Sequence, residues 1–122
     1  MSRKSVKTSR LLASQSLAAD FQTEWRTISF LDNVGFLYST SGVTDNIGTF
    51  AVQVRMKISD NEYSEPATLT LSAVPTLNDT DATDFINLNQ VPADQVRLTF
   101  TAAGGTPDGT ADIYIHTKSV GA

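Results

Sequence analysis

The sequence predicts an all-β protein: an antiparallel β-sandwich, jelly-roll-like, with seven or eight strands and an extended N-terminal arm. Three observations carry this expectation. Apolar residues recur with a period of two from residue 25 onward, sixteen Thr and twelve Ser favour pleated surfaces and turns, and turn signals come at even spacing without any strand–helix alternation. A chain of 122 residues suits one hydrophobic core, divided here into a basic N-terminal arm over 1–22 and a β-sandwich domain over 23–122.

Residues 8–22 are ambiguous, because Leu11, Leu12, Ala13, Leu17, Ala18 and Ala19 fit either a helix or an extended segment. Short strands follow at 25–31 (Trp25, Ile28, Phe30) and 34–40 (Val34, Phe36, Tyr38). The clearest alternation sets Phe50, Val52, Val54, Met56 and Ile58 on a core face against Ala51, Gln53, Arg55 and Lys57 on a wet one. Leu69 and Leu71 alternate with Thr68, Thr70 and Ser72, and residues 84–90 supply Phe85, Ile86 and Leu88. Val96, Leu98 and Phe100 then oppose Arg97, Thr99 and Thr101, while Ala111, Ile113 and Ile115 oppose Asp112, Tyr114 and His116. Between these last two strands, Thr106-Pro107-Asp108-Gly109 has the chemistry of a tight turn and predicts a closing hairpin.

Charge is distributed unevenly. Arg3, Lys4, Lys7 and Arg10 place four positive charges and no acid in the first ten residues, whereas the remainder has five basic residues against thirteen acids, a net of −8. Opposite signs on arm and body suit self-association and disfavour nucleic acid, which the body would repel and only the arm could attract. Ser14, Gln15 and Ser16 interrupt the early apolar run, so secretion through a signal peptide is not expected, and no stretch approaches the roughly 20 apolar residues of a membrane span.

No constellation for catalysis emerges. His116 is the sole imidazole, and Asp112 on the same strand face is four residues away, about 13 Å at the strand rise, too far to orient it. The chain lacks cysteine, and with it any thiolate nucleophile or Cys-based zinc site. Asp79, Asp81 and Asp84 form an oxygen-rich loop that is the one candidate cation site, against the simpler reading of a solvated loop with Asx turns. Gly104, Gly105 and Gly109 precede no helix and so make no phosphate cradle. Trp25, Tyr38, Tyr63 and Tyr114 are dispersed along the chain, and packing is the simpler role for each. No enzyme activity and no cofactor are expected. The residues expected to meet neighbours are Arg3, Lys4, Lys7 and Arg10 on the arm, with Arg55, Arg97 and Lys118 on wet strand faces.

Residues 33–121 contain Asn33-Val34-Gly35-Phe36, Ile47-Gly48-Thr49-Phe50-Ala51-Val52-Gln53-Val54 and Ile86-Asn87-Leu88-Asn89-Gln90-Val91-Pro92. They continue with Gln95-Val96-Arg97-Leu98-Thr99-Phe100-Thr101 and Pro107-Asp108-Gly109-Thr110-Ala111-Asp112-Ile113-Tyr114-Ile115, ending in Lys118-Ser119-Val120-Gly121. This series resembles small bacteriophage virion structural proteins of the head-decoration or minor-capsid type, in which a polar hairpin precedes an Arg-bearing strand and a closing Gly-rich hairpin. The resemblance implies a role in the particle, as head decoration, vertex or spike base, or tail attachment, and with the charged arm it gives the expectation of a homo-oligomeric capsid component, made in the host cytoplasm, that binds major capsid proteins through its arm and sandwich. The alternatives are a carbohydrate-binding module of a tail tip, fibre or spike, stacking on Trp25 or Tyr114, and a head-to-tail connector or tail ring.

Overall fold

The computed structural model of the protein describes residues 4–28, 32–43, 48–69, 76–77, 81–103 and 108–120. Among them lie β1 (Lys4–Ser16), β2 (Phe21–Gln22), β3 (Arg26–Thr27), β4 (Asp32–Ser41), β5 (Gly48–Arg55) and β6 (Lys57–Ser59). These are followed by β7 (Glu62–Tyr63), β8 (Ala67–Thr68), β9 (Thr76–Leu77), β10 (Thr83–Gln90), β11 (Gln95–Ala102) and β12 (Thr110–Val120). All the pairings are antiparallel. Sheet A has the order β1-β12-β4-β10, and sheet B has β2-β11-β5-β8, with β3 also on β11 and β9 also on β5.

Taking β2 with β3 and β8 with β9 as interrupted single strands leaves eight, with the β6–β7 hairpin inserted between the fourth and fifth. The first then pairs with the eighth, the second with the seventh, the third with the sixth and the fourth with the fifth. That nested pairing is what results when one long double ribbon is rolled into two facing sheets, and it defines a jelly roll.

Alternation puts Val34, Phe36, Ile113 and Ile115 of sheet A against Phe50, Val52, Val96, Leu98 and Phe100 of sheet B, all buried. Tyr38 of β4 meets Phe50 of β5 at 4.6 Å between ring centroids, and Phe100 lies 5.1 Å from Phe50 and 5.0 Å from Phe21. These rings join the sheets at one end of the core, in tilted and stacked arrangements that favour aromatic pairs. Two glycines are required by space. A Cβ on Gly48, whose φ is +142°, would run into the Thr101 carbonyl oxygen, and one on Gly35 would run into the Phe85 ring.

Residues 4–16, expected to stand ahead of the body as an arm, run as β1 along β12 of the same chain, from Lys4 opposite Val120 to Ser16 opposite Thr110. The ambiguity between helix and strand is resolved by partner availability: β12 has an open edge whose backbone groups β1 satisfies. Two register shifts interrupt the pairing, and near them Ser14 takes φ +48° while its N–H donates to Asp112 Oδ1 at 2.8 Å. Leu17, fully buried, then anchors the crossing to sheet B, with its N–H bonded to the Gly109 carbonyl.

Three other expectations change. The closing hairpin does not form: β11 pairs within sheet B and β12 within sheet A, because the connection between them changes sheets. Residues 106 and 107 of its turn, with 104 and 105 before them, lie outside the described residues. The long alternation ends early: Met56 is 47% and Ile58 62% exposed, because the chain leaves sheet B after Arg55 to enter the β6–β7 hairpin. On β10 the core residue is Ile86, while Phe85 is 44% exposed and covers Gly35 on the outer face.

Candidate functional site

On the outer face of sheet B, β5 presents Gln53 and Arg55, and β11 presents Gln95 and Arg97, each at alternate positions to buried Val52, Val96 and Leu98. The register sets Gln95 opposite Arg55 and Arg97 opposite Gln53. Each cross-strand pair is joined: Arg55 Nε donates to Gln95 Oε1 at 2.7 Å, and Arg97 Nε donates to Gln53 Oε1 at 2.8 Å. Gln95 is in turn held by donating from Nε2 to Thr27 Oγ1 on β3, at 3.1 Å.

Trp25, in the short link between β2 and β3, is half-buried against this layer. The Arg55 and Arg97 guanidinium carbons lie over its ring, 4.4 and 4.3 Å from the centroid, and Arg55 also lies 4.1 Å from the Tyr63 centroid. Such contacts contribute about 0.5–1 kcal/mol each at partly exposed sites, and they fix the planes of both guanidiniums. The β6–β7 hairpin that supplies Tyr63 is itself anchored. Met56 N–H donates to Ser64 Oγ at 2.8 Å, Ser64 N–H donates to the Met56 carbonyl at 2.8 Å, and Lys57 N–H donates to Asp94 Oδ2 at 2.6 Å.

Neither Arg55 nor Arg97 forms an ion pair among the described residues; the ion pairs there are Arg10–Asp112 and Arg26–Glu24. Partial burial, with Arg55 alongside, lowers the pKa of Arg97 from its ordinary value, although an arginine stays charged throughout the physiological range. The cluster is therefore two fixed cations held by neutral partners. Next to it, Asp20, Phe21, Gln22, Gln53, Thr99, Phe100 and Thr101 line an open groove of about 390 Å³.

The other expected contact residues are spread apart. Arg10, Tyr114, Asp112 and Lys118 lie along β1 and β12 of sheet A, with Arg10 Nη2 3.6 Å from Asp112 Oδ2 and the Arg10 guanidinium 5.5 Å from the Tyr114 centroid. Lys7 is exposed on β1, Lys4 begins that strand, and Arg3 lies outside the described residues. His116 is half-buried, with Nδ1 2.8 Å from Thr8 Oγ1 and its ring edge-on to Phe85.

In the acidic loop, Asp79 lies outside the described residues. Asp81 Oδ1 accepts the Val43 N–H at 2.9 Å, whereas Asp84 accepts the Phe85 N–H through Oδ1 and the Tyr38 hydroxyl through Oδ2. Both carboxylates thus serve the loop and β10. Burial, followed by the nearby Asp84 charge, pushes the Tyr38 hydroxyl up to about 12. No group of three potential ligands is found among the described residues, and no described helix could cross a membrane.

Sequence reasoning placed Gln53, Arg55 and Arg97 on wet faces and gave Tyr63 a packing role, but it assigned no role to Gln95 and did not bring these residues together. The alternation that exposes Arg97 exposes Gln95 as well, so the signal for it was present. What joins the two strands is their register, which the period alone does not reveal.

No family model matches the sequence, and the search of curated proteins found no match. Among solved structures, a chain of infectious bursal disease virus Gx strain is similar with a TM-score of 0.53 and 12% identity. The similarity covers 98% of this chain and 32% of the viral one, so the protein spans about a third of the length of the chain it resembles. At that identity the likeness concerns the fold, and it establishes that the all-β sandwich described above also occurs in a viral protein.

Proposed function

We propose that this protein is a non-enzymatic structural component of a virus particle. The observation that carries the reading is the fold match over 98% of the chain to a chain of a virus. The nested jelly-roll pairing supports it, since this architecture recurs in viral capsid domains. So does the arrangement of charge, with fixed arginines on the rigid strands of sheet B. The narrower role, a capsid decoration or minor capsid protein of a bacteriophage that binds neighbouring subunits, rests on the sequence resemblance.

In this reading two surfaces meet neighbours. Strand β1 is an edge of sheet A, with exposed Lys7 along it and Arg10, already paired with Asp112, beside it. Basic side chains on an edge deter indiscriminate strand pairing while attracting an acidic partner. The Arg55–Arg97–Trp25–Tyr63 cluster supplies the second surface, composed of the residue types that dominate interface hot spots. Weak contacts of this kind become strong when repeated over a shell. The carbohydrate-binding alternative draws less support, because both of its stacking candidates, Trp25 and Tyr114, have an arginine over the ring.

Peptide mass spectrometry of density-banded particles from the organism that carries this gene tests the proposal. Peptides of this chain are expected in the particle band in stoichiometric amount. Their absence from that band, with the chain abundant in the same lysate, overturns the reading.

A further inference from the structure

We infer that the Arg55–Arg97–Trp25–Tyr63 cluster is a docking site for the acidic β6–β7 hairpin of a second copy of this chain, in a two-fold interface where each hairpin lies on the other copy's cluster. The inference deepens the structural-component reading and rests on it for its biological meaning, but its geometry stands by itself.

The first element of the argument is donor arithmetic. A guanidinium has five N–H groups, and each arginine commits its Nε–H to a glutamine. The Nη groups are left pointing from planes fixed by aromatic rings, and no described carboxylate forms an ion pair with them. Fixed forks of this kind match carboxylates in bidentate fashion. The second element is repulsion. Two like charges over one tryptophan ring disfavour each other, and the depressed Arg97 pKa has that neighbour among its causes. An anion between them removes the conflict.

The body's charge selects the kind of anion. With five basic residues against thirteen acids beyond residue 10, it repels an extended polyanion most strongly, whereas a second copy, whose net charge is −4, presents isolated carboxylates at far lower charge density. The hairpin is the matching surface. Asp60, Glu62 and Glu65 are exposed and form no ion pair among the described residues. Met56 and Ile58 beside them are 47% and 62% exposed, apolar area suited to the centre of a contact. Tyr63 fastens this hairpin to the cluster of its own chain, so cation site and acidic finger share one face. A patch carrying both halves of a complementary pair is what a two-fold interface requires.

Sedimentation equilibrium of the full chain at low and high salt tests this, with circular dichroism to verify folding. A dimer that weakens as salt rises is expected. R55Q/R97Q and, separately, D60N/E62Q/E65Q should each raise the dimer Kd at least about tenfold. The second set changes exposed side chains alone, so it remains informative even if the arginine variant misfolds. Finally, R55E/R97E mixed with D60K/E62K/E65K should form a heterodimer although neither variant dimerises by itself. A wild-type monomer at every concentration and salt overturns the inference. So does an oligomer indifferent to both variant sets, or one weakened by the arginine variant but not by the acidic set, which would assign the cluster to another occupant. None of these outcomes removes the chain from a particle band, so failure here is distinguishable from failure of the proposed function.

Discussion

On the outer face of sheet A, Arg10 finds a carboxylate, Asp112, on the neighbouring strand; on the outer face of sheet B, Arg55 and Arg97 find glutamines and aromatic rings. The first arrangement neutralises charge within the chain, and the same Asp112 fixes the β1 irregularity through the Ser14 N–H. The second holds charge in place without neutralising it. An arginine paired inside its own sheet mainly serves folding, whereas one oriented by neutral groups keeps its charge available to something outside.

The contrast depends on both sheets staying packed, so the largest expected effect comes from the ring that joins them. Phe50→Ala removes a fully buried side chain in contact with Tyr38, Phe100 and Phe21, and should cost about 3–5 kcal/mol in urea unfolding. Alkali acts on the same junction. Tyr38 has a folded pKa of about 12 against an ordinary 10.0, so the stability from its protonated hydroxyl is fully present below pH 10 and is lost as pH rises towards 12. Thermal melts across that window should fall by the equivalent of on the order of 2 kcal/mol in the wild type, and Tyr38→Phe should flatten the fall.

The two faces are then separated by their arginine partners. Asp112→Ala takes away the Ser14 N–H acceptor and the Arg10 ion pair, and should destabilise by about 1 kcal/mol, mostly through the backbone bond because the ion pair is exposed. Arg97→Met on sheet B loses a hydrogen bond and a ring contact but relieves repulsion from Arg55, so stability should change by no more than about 0.5 kcal/mol. A loss at Arg97 well beyond that bound would mean that sheet B also uses its arginine for folding, and would erase the distinction.

Much of the sandwich could be read from the chain because strand alternation is local. Val34, Phe36, Phe50, Val52, Val96, Leu98, Ile113 and Ile115 were all assigned to the core from period two, and all are buried. The errors fall where pairing or exit is decided elsewhere. Thr106-Pro107-Asp108-Gly109 has turn chemistry in either case, yet whether β11 and β12 pair across it depends on β1 and β2 having claimed their edges. Met56 and Ile58 continue an alternation that the backbone abandons at Arg55, and nothing in their spacing marks the departure.

The same division holds at the candidate site. That Arg55 and Arg97 face water follows from residues one position away, so the chain by itself determined their exposure, as it did the all-β class and the contrast between a basic start and an acidic body. That they stand together over Trp25 and beside Tyr63, with a glutamine opposite each, was decided by tertiary structure. A strand's side-chain direction is set by its own backbone geometry, but its neighbours are set by a register between segments some forty residues apart, which forms only when the ribbon rolls up and buries its apolar face.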